Sequence, residues 1–257
     1  MDYFIVCLAA LAASALTLFS GFGLGTLLMP VTALFFPIET AIAMTAMVHL
    51  ANNLFKIGLL GKYANRQVLL HFGLPAIITA LAGATLMTWL SDIPPIYEYQ
   101  AFGSESQISP IKLVIGLLII FFVTIEFSPR ISKIALDRKY LPVGGMISGF
   151  FGGLSGHQGA FRSMFLLKAG LSKETFIATG VVIAVMVDLS RMVIYGLNIS
   201  TQQINIEWTL IAAAMLSAFT GAYFSAKLLK KVTIRFVQVI VSILLVIVSF
   251  GLISGLL

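Results

Sequence analysis

Charged residues are scarce in this chain, because only 10% of its 257 residues are Asp, Glu, Lys or Arg. Soluble domains carry about 25% charged residues, well above the fraction here. Hydrophobic residues make up 59% of the chain. Cysteine is almost absent as well, and the single Cys7 excludes an intrachain disulfide and a cysteine metal cluster. The composition therefore indicates one compact integral membrane domain, with no soluble domain beside it.

Long apolar runs fill most of the sequence and predict helical segments that are separated by glycine-rich breaks, prolines or short polar loops. The predicted segments are 3–20, 26–36, 39–60, 67–90, 111–127, 141–155, 160–169, 173–196, 207–226 and 236–256. The N-terminus lacks the basic region of a cleaved signal peptide, so we expect the first segment to be retained. The stretch 91–110 is predicted to be a polar loop, and the segments 26–36 and 160–169 are too short to cross a bilayer alone.

The stretch from Ser148 to Arg162 departs from the apolar pattern, since it contains five glycines, a histidine, a glutamine and an arginine. Glycine is a poor helix former, and arginine is costly in hydrocarbon. The spacing of Gly145, Gly149 and Gly153 fits a small-residue face for close helix packing. That explanation does not cover residues 156–159. They predict a broken helix with a ligand-binding site at the break.

The two halves of the chain carry matching landmarks in the same order of break, short helix, turn and long span. This order predicts two repeats, 1–128 and 140–257, joined by a cytoplasmic linker at 129–139. A shift of 135 residues superposes Gly21 on Gly156, Glu39 on Glu174, Thr40 on Thr175, Asn53 on Asp188 and Lys56 on Arg191.

Basic residues cluster in the loops 61–66, 128–140 and 227–235, which the positive-inside rule predicts to be cytoplasmic. The loops 91–110 and 197–206 lack Lys and Arg, so we expect them, and both termini, on the outside. Each half then holds one hairpin and three crossings, which makes the halves inverted. The predicted fold class is an all-α polytopic membrane protein with two inverted repeats, each a broken, re-entrant helical hairpin plus three transmembrane helices.

Polar side chains recur on one face of each of two predicted spans. They are Thr45, His49, Asn52, Asn53 and Lys56 in the first span, and Thr179, Asp188, Arg191 and Tyr195 in the second. A charge inside a span costs at least about 2.5 kcal/mol, so it should face a partner or a cavity. The sequence leaves open whether Asp188 is a counter-ion of Arg191 or Lys56, or a proton carrier. Asp188 alone cannot neutralise the three bases Lys56, Arg162 and Arg191. The surplus of positive charge predicts a bound anion.

Short helices that begin near Thr26 and Ala160 would direct positive helix N-termini at that anion from opposite sides. Glycines at the breaks would let the anion approach the backbone closely. The predicted substrate site comprises Gly23, Gly25, Thr26, His49, Asn52, Asn53, Lys56, His157, Gln158, Gly159, Arg162, Asp188 and Arg191.

The two glycine-rich breaks, the short helices and the sequence Pro-Ile-Glu-Thr-Ala at residues 37–41 resemble the TauE/SafE sulfite exporter family of membrane permeases. The resemblance covers essentially the whole chain. It implies that the protein exports a small sulfur-containing anion, either sulfite or an organosulfonate such as sulfoacetate. It also implies coupling to the proton-motive force and a location in the bacterial inner (plasma) membrane. His157 and Gln158 depart from the family's usual run of successive glycines.

Other classes of function fit the residues less well. A passive anion channel would use the same basic site and is the alternative interpretation. An enzyme is not expected, because the chain has no His-Glu-x-x-His motif and no nucleophile elbow. No cofactor or metal is expected, because haem or iron at His49 and His157 is disfavoured by the positive groups nearby. Nucleic acid is not an expected partner either. The expected partners are the small anion and the lipid bilayer, and a homodimer is compatible with the sequence.

Overall fold

The computed structural model describes residues 2–20, 24–101, 103–128, 136–202, 206–228 and 234–257. These residues form ten α-helices and one β-hairpin. The elements are α1 (Asp2–Ser20), α2 (Leu24–Thr32), α3 (Ile38–Leu60), α4 (Arg66–Ser91), β1 (Tyr97–Ala101), β2 (Ser104–Ile108), α5 (Pro110–Phe127), α6 (Leu141–Ser155), α7 (Gly159–Leu166), α8 (Lys173–Gln202), α9 (Trp208–Leu228) and α10 (Ile234–Ser254). The all-α core predicted from the sequence is confirmed in the described residues.

Three helix ends differ from the prediction. The short helix α2 ends at Thr32 rather than at residue 36. Residues 33–35 form turns, and Pro37 disfavours the α conformation at Phe36. The helix α7 ends at Leu166. A turn follows it and contains Gly170, whose φ of 72° is unfavourable for other residues. The helix α8 continues past Gly196 to Gln202, since an internal glycine weakens a helix without ending it.

The stretch 91–110 is a β-hairpin rather than an irregular loop, which corrects the prediction. Tyr97 pairs with Ile108 and Ala101 with Ser104 in an antiparallel register. Polar and aromatic residues alternate along β1, and this pattern suits a strand with two different faces. The hairpin contacts the C-terminal end of α10, where the Gln107 N–H donates to the carbonyl oxygen of Gly255 at 3.3 Å. Hairpin and C-terminus therefore lie together.

Helix α4 contains a π-helical turn at Leu69–Gly73 between two α-helical parts. Pro75 lies two residues after the turn and has no N–H to donate to the carbonyl four residues earlier. A π-helical turn is one of the ways in which a helix accommodates such a break. Arg66–Ser91 and Lys173–Leu197 are each long and apolar enough to cross a bilayer. Shorter apolar helices are found at Tyr3–Ala15, Pro110–Ile125, Trp208–Phe224 and Ser242–Ser254.

Glycines bring α6 into direct backbone contact with α4. A Cβ atom placed on Gly153 would lie 2.0 Å from the carbonyl oxygen of Ala80, and one on Gly145 would lie 2.1 Å from that of Phe72. Gly149 makes the same kind of contact. The predicted small-residue packing face is confirmed, because no side chain larger than hydrogen fits between the two helices at these positions.

Helices α1 and α9 form a second close pair. A Cβ atom on Gly221 of α9 would lie 2.2 Å from the carbonyl oxygen of Leu11 in α1. Between the two pairs, α3 packs on α8, while α5 packs on α10. The breaks α1/α2 and α6/α7 therefore flank a central pair of helices, α3 and α8, that carries the polar residues.

Candidate functional site

The polar residues of α3 all lie on the side that faces the other helices. The polar residues predicted on this face are all buried: Thr45, His49, Asn52, Asn53 and Lys56. Leu54, on a different side of the same helix, is 48% exposed. Spacings of three and four residues place side chains on one helical face, so the prediction from periodicity is confirmed. In α8, Asp188, Arg191, Thr179 and Tyr195 are buried as well.

Asp188 is the centre of this polar region and has no exposed surface. Its Oδ1 accepts hydrogen bonds from Arg191 Nε at 3.0 Å and from Arg191 Nη2 at 2.7 Å. Its Oδ2 lies 2.6 Å from His49 Nδ1. A buried carboxylate needs such donors, because an unpaired charge in a low-dielectric setting is strongly unfavourable. Arg191 binds from within α8, whereas His49 reaches across from α3.

His49 connects the two halves of the chain, and its contact with Asp188 defines its tautomer. Because Asp188 can only accept, His49 Nδ1 carries the proton in this contact. Nε2 of the neutral ring is then an acceptor, and Asn53 Nδ2 lies 3.2 Å from both ring nitrogens. The tautomer is therefore assigned from the short contact with Asp188 alone. The cross-helix partner of Asp188 is therefore His49, which was not weighed from the sequence.

The second break is built around Gly156. Its φ of 82° is left-handed, and its N–H donates to the carbonyl oxygen of Gly152 at 3.0 Å, which ends α6. A Cβ atom on Gly156 would lie 2.9 Å from Nη1 of Arg191. A Cβ atom on Gly25, near the start of α2, would lie 3.7 Å from the carbonyl oxygen of Gly156. The start of the first short helix therefore faces the second break, next to the Arg191 guanidinium.

Arg162 extends from the first turn of α7 and is half-buried. Its Nη1 donates to Oε1 of Gln158 at 3.2 Å. Its Nε lies beside Gly180 of α8, where a Cβ atom would be 3.5 Å away. Arg162 is also close enough to Lys56 and Asp188 for their charges to interact. The structure thus gathers Arg162 and Lys56 near the Asp188–Arg191 pair.

Three buried side-chain atoms in the described part of the chain have no hydrogen-bond partner. They are Nδ2 of Asn52, Nε2 of His157 and Nε2 of Gln158. The amide oxygens of Asn52 and Gln158 are already engaged, by the Ser14 hydroxyl at 2.9 Å and by Arg162. Leaving such a group unsatisfied costs about 1–3 kcal/mol, so each atom is suited to bind a ligand or a water molecule.

The central region carries more positive than negative charge. Among the described side chains there, Lys56, Arg162 and Arg191 are basic, and Asp188 is the acid. Within the same described residues, no group of three or more His, Cys, Asp or Glu side chains is placed to hold a metal ion. Amide donors, guanidinium groups and helix N-termini together are suited to bind a small anion.

The family comparison agrees with this chemistry. The model of the family described as "Sulfite exporter TauE/SafE" matches residues 6–252. The chain belongs to the TauE/SafE sulfite exporter family. Members of this family are membrane transporters, so the protein is a helical membrane transporter. Among the curated proteins and solved structures compared with it, none matches the chain.

The remaining predicted site residues of this TauE/SafE protein lie at the two breaks. Gly25 and Thr26 are buried in the first turn of α2, and Gly159 is the first residue of α7. His157 and Gln158 are buried between α6 and α7. Gly23 lies outside the described residues.

Sequence reasoning missed several groups that position the site. Ser148 donates through Oγ to the carbonyl oxygen of Gln158 at 3.0 Å, and Ser14 holds Asn52. Tyr195 was predicted on the polar face of its span, but its contact was not: its hydroxyl donates to the carbonyl oxygen of Gly153. A hydroxyl in an otherwise apolar span is a weak signal, because serine and threonine usually bond to their own helix.

Proposed function

We propose that this TauE/SafE protein is a secondary transporter that exports a small sulfur-containing anion, such as sulfite or an organosulfonate, using the proton-motive force. The observation that carries the proposal is the excess of basic groups in the central region: among the described side chains there, the buried Lys56 and Arg191 and the half-buried Arg162 surround a single acid, Asp188. An anion would neutralise this excess and accept hydrogen bonds from the amide nitrogens that have no partner. A transporter, rather than an enzyme, also fits the family.

The pairwise packing of helices supports an inverted-repeat architecture. Under the proposed repeats, 1–128 and 140–257, α1 corresponds to α6, α3 to α8, α4 to α9 and α5 to α10. When each helix is replaced by its counterpart in the other repeat, the close pair α1–α9 becomes the close pair α6–α4. The same replacement leaves the pairs α3–α8 and α5–α10 unchanged. A pseudo-twofold axis between α3 and α8 would produce this pattern. In transporters with inverted repeats, substrate sites lie at the repeat interface.

Two contacts support the proposed orientation in the bacterial inner membrane. Arg138, at the end of the linker, donates to Oε1 of Gln67 at 2.7 Å. This bond joins the linker to the start of α4, next to the loop 61–66, and both are predicted to be cytoplasmic. The β-hairpin contacts the C-terminal end of α10, which joins two segments that are predicted to be periplasmic. The C-terminus is therefore proposed to be periplasmic together with the hairpin, and the N-terminus is proposed to be periplasmic from the positive-inside rule.

Cysteine labelling tests this topology in a Cys7→Ser background. Glu105→Cys and Lys139→Cys place single thiols at exposed positions on the two proposed sides. A membrane-impermeant thiol reagent added to spheroplasts should label residue 105 and not residue 139, and lysis should expose residue 139. Labelling of residue 139 in intact spheroplasts would contradict the orientation.

Flux into proteoliposomes tests the transport activity itself. Sulfite, sulfoacetate, sulfate and chloride are compared with and without an imposed pH gradient. A coupled transporter should concentrate sulfite or sulfoacetate only when the gradient is present. A passive anion channel, the alternative function, would let the anion equilibrate at a rate that does not depend on the pH gradient. Absence of flux for every sulfur oxyanion would contradict the proposal.

Arg162 is expected to bind the anion directly. Its planar guanidinium can donate two parallel hydrogen bonds to an oxyanion, whereas lysine presents a point charge. Arg162→Lys should therefore weaken anion binding by about ten-fold, and Arg162→Ala by more. Apparent affinity for sulfite in proteoliposomes measures the effect. Arg138→Lys, at an exposed position, is the matched control and should leave the affinity unchanged. Equal affinities for wild type and Arg162→Ala would remove Arg162 from the site.

A further inference from the structure

The hydrogen bonds of His157 leave one ring nitrogen free in a defined chemical form. His157 Nδ1 lies 3.1 Å from both the carbonyl oxygen and the hydroxyl oxygen of Ser155. A carbonyl oxygen only accepts, and the Ser155 hydroxyl itself donates to the carbonyl oxygen of Phe151 at 3.2 Å. The proton of the neutral His157 ring is therefore on Nδ1, so that Nε2 carries a lone pair and is an acceptor.

This acceptor is buried and fixed in direction. His157 is 3% exposed, and Nε2 has no hydrogen-bond partner. The ring stacks on Phe122 of α5, with centroids 5.0 Å apart and planes inclined by 11°. The stacked Phe122 and the bond to Ser155 together prevent the ring from turning to another donor. Because the ring is held in this orientation, the buried Nε2 can be satisfied only by a donor from a molecule that enters the site.

The next residue presents the opposite chemistry. Gln158 is 1% exposed, its Oε1 accepts from Arg162, and its Nε2 is a donor without a partner. Neighbouring residues at the break thus offer one free acceptor and one free donor. A fully deprotonated oxyanion can use the Gln158 amide, but it offers no hydrogen to His157. A monoanion that retains an O–H group satisfies both.

We infer that the substrate is an oxyanion that carries its own proton, of the hydrogensulfite type, and that His157 Nε2 accepts the hydrogen bond from its O–H group. This inference rests on the proposed function and specifies the form of the substrate. It also distinguishes hydrogensulfite from organosulfonates, which the proposed function names together. An organosulfonate group has the same charge as hydrogensulfite and three oxygens, but it has no O–H group. His157 is a specificity-determining residue in this assignment.

Competition between matched anions tests the inference. Uptake of radiolabelled sulfite into proteoliposomes is measured in mildly acidic buffer, where hydrogensulfite predominates, against hydrogenselenite or methanesulfonate as competitors. Hydrogenselenite is a pyramidal monoanion with an O–H group, and methanesulfonate is a monoanion with three oxygens and none. Wild-type protein should bind hydrogenselenite at least about ten-fold more tightly than methanesulfonate, because the analogue without the hydrogen leaves His157 unsatisfied.

Variants at position 157 locate the selectivity. His157→Phe keeps an aromatic ring against Phe122 and removes the acceptor, so the preference for hydrogenselenite should fall to about two-fold or less, with methanesulfonate binding retained. His157→Gln restores an amide oxygen and should recover part of the preference. His71→Phe is the control, since His71 also bonds through Nδ1 to a backbone carbonyl, that of Gln67 at 2.7 Å, but is exposed.

The outcomes separate this inference from the proposed function. Sulfite uptake with equal competition by both anions, in wild type and in His157→Phe, would overturn the inference and leave sulfur-anion transport intact. Tighter binding of methanesulfonate would overturn it as well, because Nε2 would then act as a donor. If no sulfur oxyanion is transported at all, the proposed function itself fails. Binding of methanesulfonate by detergent-solubilised His157→Phe checks that this variant is folded.

Discussion

Asp188→Asn is expected to destabilise the protein by about 3–5 kcal/mol, because it leaves buried donors without their anionic acceptor. The carboxylate accepts three hydrogen bonds, two from Arg191 and one from His49. Asparagine offers one oxygen, and its amide nitrogen would face one of these donors. His49 could accept through Nδ1 only if its proton moved to Nε2. Thermal unfolding in detergent measures the loss.

An exposed acid provides the control for Asp188. Asp137 lies 4.0 Å from Lys168, and both side chains are largely exposed, so Asp137→Asn should change stability by about 1 kcal/mol or less. Replacing both members of the buried pair, as in Asp188→Leu with Arg191→Met, should recover much of the lost stability without restoring transport. A single variant with normal stability that loses only pH-driven flux would identify Asp188 as a proton carrier instead.

Gly153→Ala is expected to disrupt the packing of α6 on α4, at a cost of about 3 kcal/mol or more. The new methyl group would lie 2.0 Å from the carbonyl oxygen of Ala80, and backbone cannot move aside as a side chain can. The helices must separate, and the contacts of Gly145 and Gly149 with α4 are then lost together. The yield of monodisperse protein and the midpoint of thermal unfolding report the effect.

Gly58→Ala is the matched control, because nothing lies within 4 Å of a Cβ atom at that position in α3. Alanine is the better helix former, so this variant should unfold at the same temperature or slightly higher. Gly196→Ala, with equally open surroundings in α8, should behave in the same way. If Gly153→Ala is as stable as these two variants, the close approach of α6 and α4 is not required for the fold.

Helix positions could be predicted from this sequence because hydrophobic runs and helical periodicity are local properties. The buried face of α3 followed from the spacing of Thr45, His49 and Lys56, and the packing face of α6 from its glycines. The β-hairpin at 97–108 was missed, because the absence of basic residues was interpreted only as a sign of sidedness. The alternation of side chains in Tyr97–Ala101 is the signal that could have revealed it.

Hydrogen-bond partners in the site could be predicted only in part, since they depend on how helices from different halves meet. The sequence offered Arg191 or Lys56 as the partner of Asp188 and did not consider His49, which lies 139 positions away. Nor does periodicity give the direction of a side-chain amide or an imidazole. The free nitrogens of Asn52, His157 and Gln158 are defined by Ser14, Ser155 and Arg162, which contact their other polar atoms.

The close pairing of α1 with α9 has a consequence for biosynthesis. Leu11 lies against Gly221, so α1 is synthesised about 200 residues before the helix that it packs against. Contacts so distant in sequence form late, and apolar surface that awaits them is prone to wrong association. During translation, α1 must therefore be sheltered by lipid, by the insertion machinery or by neighbouring helices until α9 has entered the membrane. A transcript truncated after the first half would yield a chain whose N-terminal helix never meets its partner.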